Sequence, residues 1–493
     1  MAGNLANGVP RIPNAAQFSD FAPDADPLTP GVLLDCDNVF PSPKGFRSYP
    51  SLTQFTTSPL PSQCFGAFST KLRSTQFTLA GTANNLYELQ DKVFVDTGVS
   101  PLTISYPRRW RFDTYGQDII AVNGVNRPYV KSGALGTWTN LGGNPPIAGI
   151  VQATEFALFL IEPDSDIWHA SLSDSIWTNS VATQTIQGNL YATDGPITAA
   201  HQLRRGIALY KRKGFHYGTF GSPPFFWEFP PISHEIGAPS HESVANVLDM
   251  HIWPAIDDFY SFDGQSLQRI KNNLKDWFYS TLDQTRDGEI CARWDQKRSC
   301  VFWHFPSNAA PANLLDKWIC YSLRTARWSK GDLQVEFPIF GVAQVGALTY
   351  GEFTSTYPTY SAIPTGFKYA DLRERSSDST AAFDIDHNLK LFNGSPLTAY
   401  VTTHDLGDRH SKYLVTRVQP QFSIYPETPG ARLEVLAQEL PGTTPALVKS
   451  TSLTANGWFD VLNTARLQRF KIIFDSEAEI VGMNADLIYA GER

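Results

Sequence analysis

The sequence predicts an all-β chain: a β-propeller of roughly six blades, a C-terminal β-sandwich and an extended N-terminal segment. Three observations predict it. First, a segment recurs six times between residues 77 and 331, as FTLAGTANNLYEL, DIIAVNGVNRPYV, FALFLIEPDSDIWHASLSDSIW, IALYKRKGFHYGTFGSPPFFW, MHIWPAIDDFYSFDG and CVFWHFPSNAAPANLLDKWICYSLRTARW. Each copy runs an apolar strand, a polar turn and an aromatic-centred strand, and several close on Trp. Second, the strand centres Tyr87, Tyr129, Trp168, His216, Tyr260 and Ile319 step by 42, 39, 48, 44 and 59 residues, against roughly 40–50 for propeller repeats. Third, 13% of the residues are aromatic and 18% charged, with 35 Gly and 34 Pro, which favours many short strands and turns over long helices.

Residues 1–60 are polar, Pro-rich and outside the repeat, and form the extended segment. Such a segment docks on a neighbour, with Asn38, Phe40, Phe46, Arg47 and Tyr49 as interface candidates, or serves inside the chain. The inside roles are a strand that closes the propeller ring and a strand that pairs with the C-terminal sandwich.

The propeller spans 61–373. An apolar strand precedes each pair, at CFGAF (64–68), WRF (110–112), AGIV (148–151), ITAA (197–200), VANVL (244–248) and EICARW (289–294). One such sheet cannot bury its own apolar face, and stacking several around an axis buries them all. The long last step comes from an insertion, SNAAPANLLD (307–316). NLKDWFYSTLDQ (273–284) is the best helix candidate and reads as a blade connection.

After residue 331 the repeat stops. A Tyr/Thr/Pro-rich stretch (348–372) reads as an extended segment laid over another surface, and ERSSDSTAA (374–382) as a linker. Period-two strands from 383 to 493 predict the sandwich. In it, Leu433, Val435 and Leu436 lie opposite Phe470, Ile472 and Phe474.

The chemistry-bearing residues point away from catalysis. Five Cys at irregular spacing, with no Cys-x-x-Cys, favour buried free thiols over a zinc site or a disulfide framework, although Cys291 and Cys300 could face each other across a hairpin. His234 and His241 fit ordinary loop composition better than a metal pair. Asp164 with Asp166, and Asp257 with Asp258, are the obvious paired carboxylates for glycoside hydrolysis. All four sit between the two strands of a blade, where Asp is favoured for turn geometry. No Gly-x-Ser-x-Gly, His-Glu-x-x-His, Walker A or dinucleotide-binding glycine pattern appears. The reading expects no enzyme and no cofactor.

A net charge of −8 argues against tight sequence-independent nucleic-acid binding. The basic clusters (Arg108, Arg109 and Arg111; Arg204 and Arg205; Lys211, Arg212 and Lys213) read as solvated turn charges. The N-terminal residues have neither the basic nor the apolar region of a secretory signal, and no apolar run approaches a membrane span.

The segments LTPGVLLDCDNVFPSPKGFRSYPSL (28–52), TYGEFTSTYPTYSAIP (349–364) and GWFDVLNTARLQRFKIIF (457–474), with the Gly-Glu-Arg end, resemble tail-hub proteins of short-tailed bacteriophages. These are also called nozzle, tail-tubular or stabilisation proteins. The resemblance implies a propeller built into a ring, expected to be a hexamer, beneath the portal and adaptor proteins. Tail fibres or spikes attach outside, and genomic DNA passes through the lumen without specific binding. It implies a virion protein made in the host cytoplasm. The alternative reading is a propeller-type receptor-binding or glycan-degrading tail protein.

Overall fold

A computed structural model of the chain describes residues 11–72, 75–99, 103–133, 135–172, 176–177, 185–221, 227–343, 359, 378–427, 430–440 and 442–491. The protein is all-β, and its strands follow the predicted repeat. Sheet I runs Gly66–Leu72, Thr75–Gly81, Leu86–Gln90 and Val93–Asp96 in sequence order. The same four-strand path recurs in sheet II, from Arg111–Tyr115 to Trp138–Asn140, and sheet III, from Ile150–Ala153 to Ile186–Asn189. It recurs again in sheet IV, from Ile197–Leu203 to Trp227–Glu228, and sheet V, from Ala245–Val247 to Leu267–Arg269. Sheet VI runs from Cys291–Asp295 to Arg327–Val335. All six strands expected ahead of the repeat pairs are present as first strands, and the segment after each pair supplies the fourth. This is the sheet unit of a β-propeller.

A further four-stranded sheet lies outside the contiguous repeat. Sheet VII consists of Phe337–Ala343, Asp378–Phe383, Leu389–Pro396 and Pro50–Gln54. Its strands come from both flanks of the repeat region, so no contiguous copy exists to be counted. The sheet also corrects the linker assignment, since residues 378–382 pair with Phe337–Ala343 instead of spanning open space. The rest of that linker, and the 348–372 stretch apart from residue 359, lie outside the described residues.

The chain divides into two compact units. One comprises residues 52–237 and 335–392, and so holds sheets I to IV and most of sheet VII. Within it the first strands pack side by side in the order Phe337–Ala343, Gly66–Leu72, Arg111–Tyr115, Ile150–Ala153 and Ile197–Leu203. Apolar clusters fill the spaces between successive sheets: Leu79, Trp110 and Ile119 between I and II, Ile120, Val151 and Leu160 between II and III, and Phe159, Trp168 and Leu209 between III and IV.

The other unit comprises residues 1–51, 238–334 and 393–493. These boundaries cut across the sequence-based division at 60, 373 and 383. Here sheets V and VI share a core with two six-stranded sheets. The first has the order Val39–Pro41, Phe46–Ser48, Glu479–Gly491, Lys412–Ile424 and Phe459–Ala465, with Arg11–Gln17 also paired to Glu479–Gly491. The second has the order Leu33–Asp37, Ala399–Thr403, Leu467–Phe474, Ala431–Gln438 and Ala446–Ser452, with Leu406–Gly407 also on Leu467–Phe474. Val415, Val418 and Ile480 of the first sheet and Leu433, Val435, Phe470, Ile472 and Phe474 of the second belong to one buried cluster. Leu433 pairs with Ile472 and Val435 with Phe470, but Leu436 sits opposite Arg469 and is only half-buried. A strand has period two, so neighbours Val435 and Leu436 cannot both face inward.

The Trp that closes several repeats has a packing role. Trp227, on the fourth strand of sheet IV, meets Phe159 of sheet III edge-on at 4.8 Å. Trp328, on the fourth strand of sheet VI, lies 4.7 Å from Phe259 of sheet V. Each therefore reaches back to the preceding sheet, burying on the order of 4–6 kcal/mol of apolar surface. The helix expected at 273–284 is a seven-residue turn of helix, Lys275–Thr281, joining sheets V and VI. The insertion 307–316 does separate two adjacent strands, Cys300–Phe305 and Leu315–Ser322.

Candidate functional site

The five interface candidates are brought together, but mostly facing inward. Val39–Pro41 and Phe46–Ser48 form a hairpin that sets Phe40 opposite Arg47, and Phe46 pairs in turn with Ile480. Phe46 and Tyr49 are fully buried, and Asn38 and Phe40 nearly so. Asn38 adopts φ 53°, its Nδ2 donates to the Thr398 carbonyl at 3.1 Å, and its Oδ1 accepts from the Asp332 amide at 3.3 Å. Tyr49 packs on Trp318 at 5.0 Å and Phe302 at 5.2 Å. Its hydroxyl accepts from Arg293 Nη2 at 2.6 Å, and burial pushes its acidity down, raising the pKa. Arg47, ion-paired with Glu477, is the member of the set with a substantially exposed side chain. This hairpin pairs with the C-terminal strand Glu479–Gly491, and Pro50–Gln54 is the last strand of sheet VII.

Carboxylates fasten the segment that precedes the hairpin. Asp20 Oδ1 accepts from the Trp328 amide at 2.6 Å. Asp24 accepts from the amides of Asp276 at 2.8 Å and Trp277 at 3.0 Å, serving the donors at the start of Lys275–Thr281. Asp35 pairs with Lys330 at 2.9 Å. Burial lifts the carboxyl pKa of both Asp20 and Asp37 to about 7, with Asp332 adding repulsion at Asp37.

The acidic pairs are engaged structurally. Asp258 is completely buried and accepts from the Phe259 amide at 2.7 Å and Asn272 Nδ2 at 2.6 Å, besides its ion pair with Arg269. Asp257 accepts from the Tyr260 hydroxyl at 2.9 Å. Asp164, at φ 55°, pairs with Arg108 at 2.5 Å. Asp166 lies 3.8 Å from Lys211 Nζ.

The basic clusters are likewise dispersed among partners. Arg111 donates to the Gly149 carbonyl at 2.8 Å, Arg205 pairs with Glu155 at 3.4 Å, and buried Lys211 donates to the Leu190 and Thr193 carbonyls at 2.7 and 2.6 Å. Cys291 pairs with His304 and Cys300 with Asp295, so the two cysteines do not face each other, and all five are buried free thiols. Among the described residues, no group of three or more His, Cys, Asp or Glu side chains is placed to hold a metal ion.

A surface that the sequence reading did not single out lies on the two six-stranded sheets. Ala446–Ser452 is the last strand of one sheet and Phe459–Ala465 the last strand of the other. The two edge strands touch, and Lys449 Nζ donates to the Val461 carbonyl at 2.6 Å. Large aliphatic side chains stand in solvent here: Leu440 is 64% exposed, Leu447 58%, Val448 50% and Leu462 69%. Leu462 is at φ 47°, beside a register shift opposite Val415 and Arg417, so a bulge turns it outward. The opposite edges, Leu33–Asp37 and Val39–Pro41, are covered by sheet VI through Lys330 and the Leu315–Ser322 strand. The sequence signal was present: adjacent apolar pairs, Leu447–Val448 and Val461–Leu462, cannot both point inward in a period-two strand.

No family model matches the sequence, and no curated protein does. Solved structures do. The WD40 domain of Pan2 from Neurospora crassa is 10% identical at a TM-score of 0.40, with 69% of this chain and 94% of that one covered. BamB from Moraxella catarrhalis is 9% identical at 0.36, covering 77% and 97%. YCF48 from Cyanidioschyzon merolae is 10% identical at 0.36, covering 57% and 88%. No helix among the described residues is long and apolar enough to cross a membrane.

Proposed function

We propose that this protein is a structural virion component, a subunit of the tail-hub or nozzle ring of a short-tailed bacteriophage. In this role it docks on the portal–adaptor complex, forms part of the DNA-exit channel and anchors fibres or spikes. The observation that supports the reading is the pair of edge strands, open among the described residues, with Leu447, Val448 and Leu462 on them and Leu440 beside them. An uncovered edge with large aliphatic side chains is a liability for a lone monomer and an asset for a subunit. A patch on one side of a protomer that meets a different surface of the next makes a heterologous contact, which closes into a ring when the rotation permits. The acidic balance suits a conduit that DNA passes without sticking.

The test is light scattering on the size-excluded protein together with negative-stain imaging, for wild type and for Leu447→Lys with Leu462→Lys. Wild type is expected to form rings, alone or on added adaptor, and the double variant to stay monomeric with an unchanged melting temperature. A wild type that remains monomeric with adaptor present, or a double variant that still forms rings, sinks the reading.

A further inference from the structure

A cleft of about 620 Å³ opens where the first strands of sheets II, III and IV end side by side. Its size is that of a small-ligand site, roughly 300–1,000 Å³, but its chemistry is not the usual apolar one. Asp113, Gln152, Glu155 and Gln202 supply carboxylates and amides, Tyr115 a phenol, and Leu172 a half-exposed apolar edge. No Lys, Arg or His is among the described lining residues.

Asp113 closes one wall and joins two sheets. Its Oδ2 accepts from the Ala153 amide at 2.6 Å and Gln152 Nε2 at 2.7 Å, and its Oδ1 from the Thr114 amide at 2.7 Å. The Tyr115 hydroxyl donates to the Leu172 carbonyl at 3.4 Å and Gln202 Nε2 to the Arg204 carbonyl at 3.2 Å, so the side chains facing the opening are held in place. Glu155 and Arg205 pair at the exposed rim, 3.4 Å apart.

We infer that this cleft binds a neutral, hydroxyl-rich ligand, a saccharide in chemical class. Each vicinal diol both donates and accepts, and carboxylate, amide and phenol groups set around one opening answer both needs. An anion finds no cation among the described lining residues, and Arg205 at the rim is already taken by Glu155, which disfavours phosphates and nucleic acid. A cation finds at Asp113 a carboxylate already occupied by three N–H donors. Burial lifts its pKa to about 6, so its charge is already compensated or partly lost near neutrality. A predominantly polar wall disfavours an apolar ligand, whose burial would strip water from these groups without replacing it.

The assignment does not depend on the ring reading, because ring formation and saccharide binding have separate readouts. The full chain is to be screened by saturation-transfer NMR with neutral oligosaccharides of hexoses at millimolar concentration. Acidic oligosaccharides, inorganic phosphate and tetramethylammonium serve as charged controls. Binding of at least one neutral oligosaccharide is expected, with none of the charged controls bound at the cleft. Gln202→Ala, a surface change, is expected to weaken binding about tenfold, the worth of one well-placed hydrogen bond, without moving the melting temperature. Leu172→Trp is expected to block the cleft by bulk. Binding of no neutral oligosaccharide, preference for a charged control, or binding that survives both substitutions overturns the inference.

Discussion

At the scale of single residues, in sheets III and VI a tryptophan of the third strand takes the space beside a glycine of the fourth. Trp168 on the third strand of sheet III pairs with Gly188 on the fourth, and a Cβ there would lie 2.6 Å from the indole Cζ2. In sheet VI a Cβ on Gly331 would lie 2.2 Å from Trp318 Cζ2, and Trp318 is completely buried. The ring occupies the space that a side chain would take. Neither partner can yield cheaply, since Trp318 is also wedged against Tyr49 and Phe302. Gly331→Ala is therefore expected to destabilise by roughly 1–3 kcal/mol through overpacking, seen as a lower midpoint in urea. A neutral result would mean that the indole turns aside, and would remove glycine from the explanation of the repeat. The aromatic half of this pattern was legible in the sequence, with Trp168 at the centre of its copy and Trp318 beside the centre of the last. The glycine half was not, because its position relative to the Trp depends on strand register, which a single sequence does not display.

At the scale of elements, the N-terminal segment is a strap as well as a set of strands, and its aspartates give it a pH dependence. Burial lifts the folded pKa values of Asp20 and Asp37 to about 7 from an ordinary 3.8. A carboxyl whose folded pKa is raised binds its proton better in the native state. Its contribution is fully present below about pH 4 and is lost as pH rises through about 7. The two groups together favour the folded state at pH 5 over pH 8 by on the order of a few kcal/mol. Asp20→Asn and Asp37→Asn, which keep the side-chain shape without the titration, should each flatten the change in melting temperature between pH 5 and pH 8. If both variants track wild type across that range, these carboxyls do not titrate as their burial requires.

The repeat strands were legible because each copy carries its own apolar pattern and turn within about 40–50 residues. Sheet VII was not, because Pro50–Gln54 and Leu389–Pro396 are more than 300 positions apart in the sequence. The docking residues proposed from sequence show the same limit. Asn38, Phe40, Phe46 and Tyr49 have the composition of an interface, but the surface they meet belongs to their own chain. Adjacent apolar pairs mark Leu447 and Leu462 as outward-facing in the sequence, but not that their strands are edges, because an edge is defined by the absence of a neighbouring strand.

At the scale of the whole molecule, the order of parts along the sequence is not the order of folding units. The expected C-terminal sandwich, residues 383–493, lacks four strands of the two six-stranded sheets to which it contributes, and a fifth of sheet VII. Arg11–Gln17, Val39–Pro41 and Phe46–Ser48 belong to the first sheet and Leu33–Asp37 to the second, while the fifth N-terminal strand, Pro50–Gln54, pairs with Leu389–Pro396 of sheet VII. Cutting at 383 would bare the edges of Glu479–Gly491 and Ala399–Thr403 and uncover Val401, Ile480 and Met483, all completely buried. Unpaired backbone at two newly opened edges, with apolar side chains beside it, favours aggregation over folding. An isolated 383–493 fragment is thus expected to be insoluble or to lack a cooperative thermal transition. Supplying residues 11–54 as a separate peptide should restore part of the strand signal in circular dichroism by pairing with the exposed edges. A fragment that melts cooperatively by itself would show that the N-terminal strands only decorate an autonomous domain. A fragment that is rescued by the peptide would show that the two ends of the chain fold as one element.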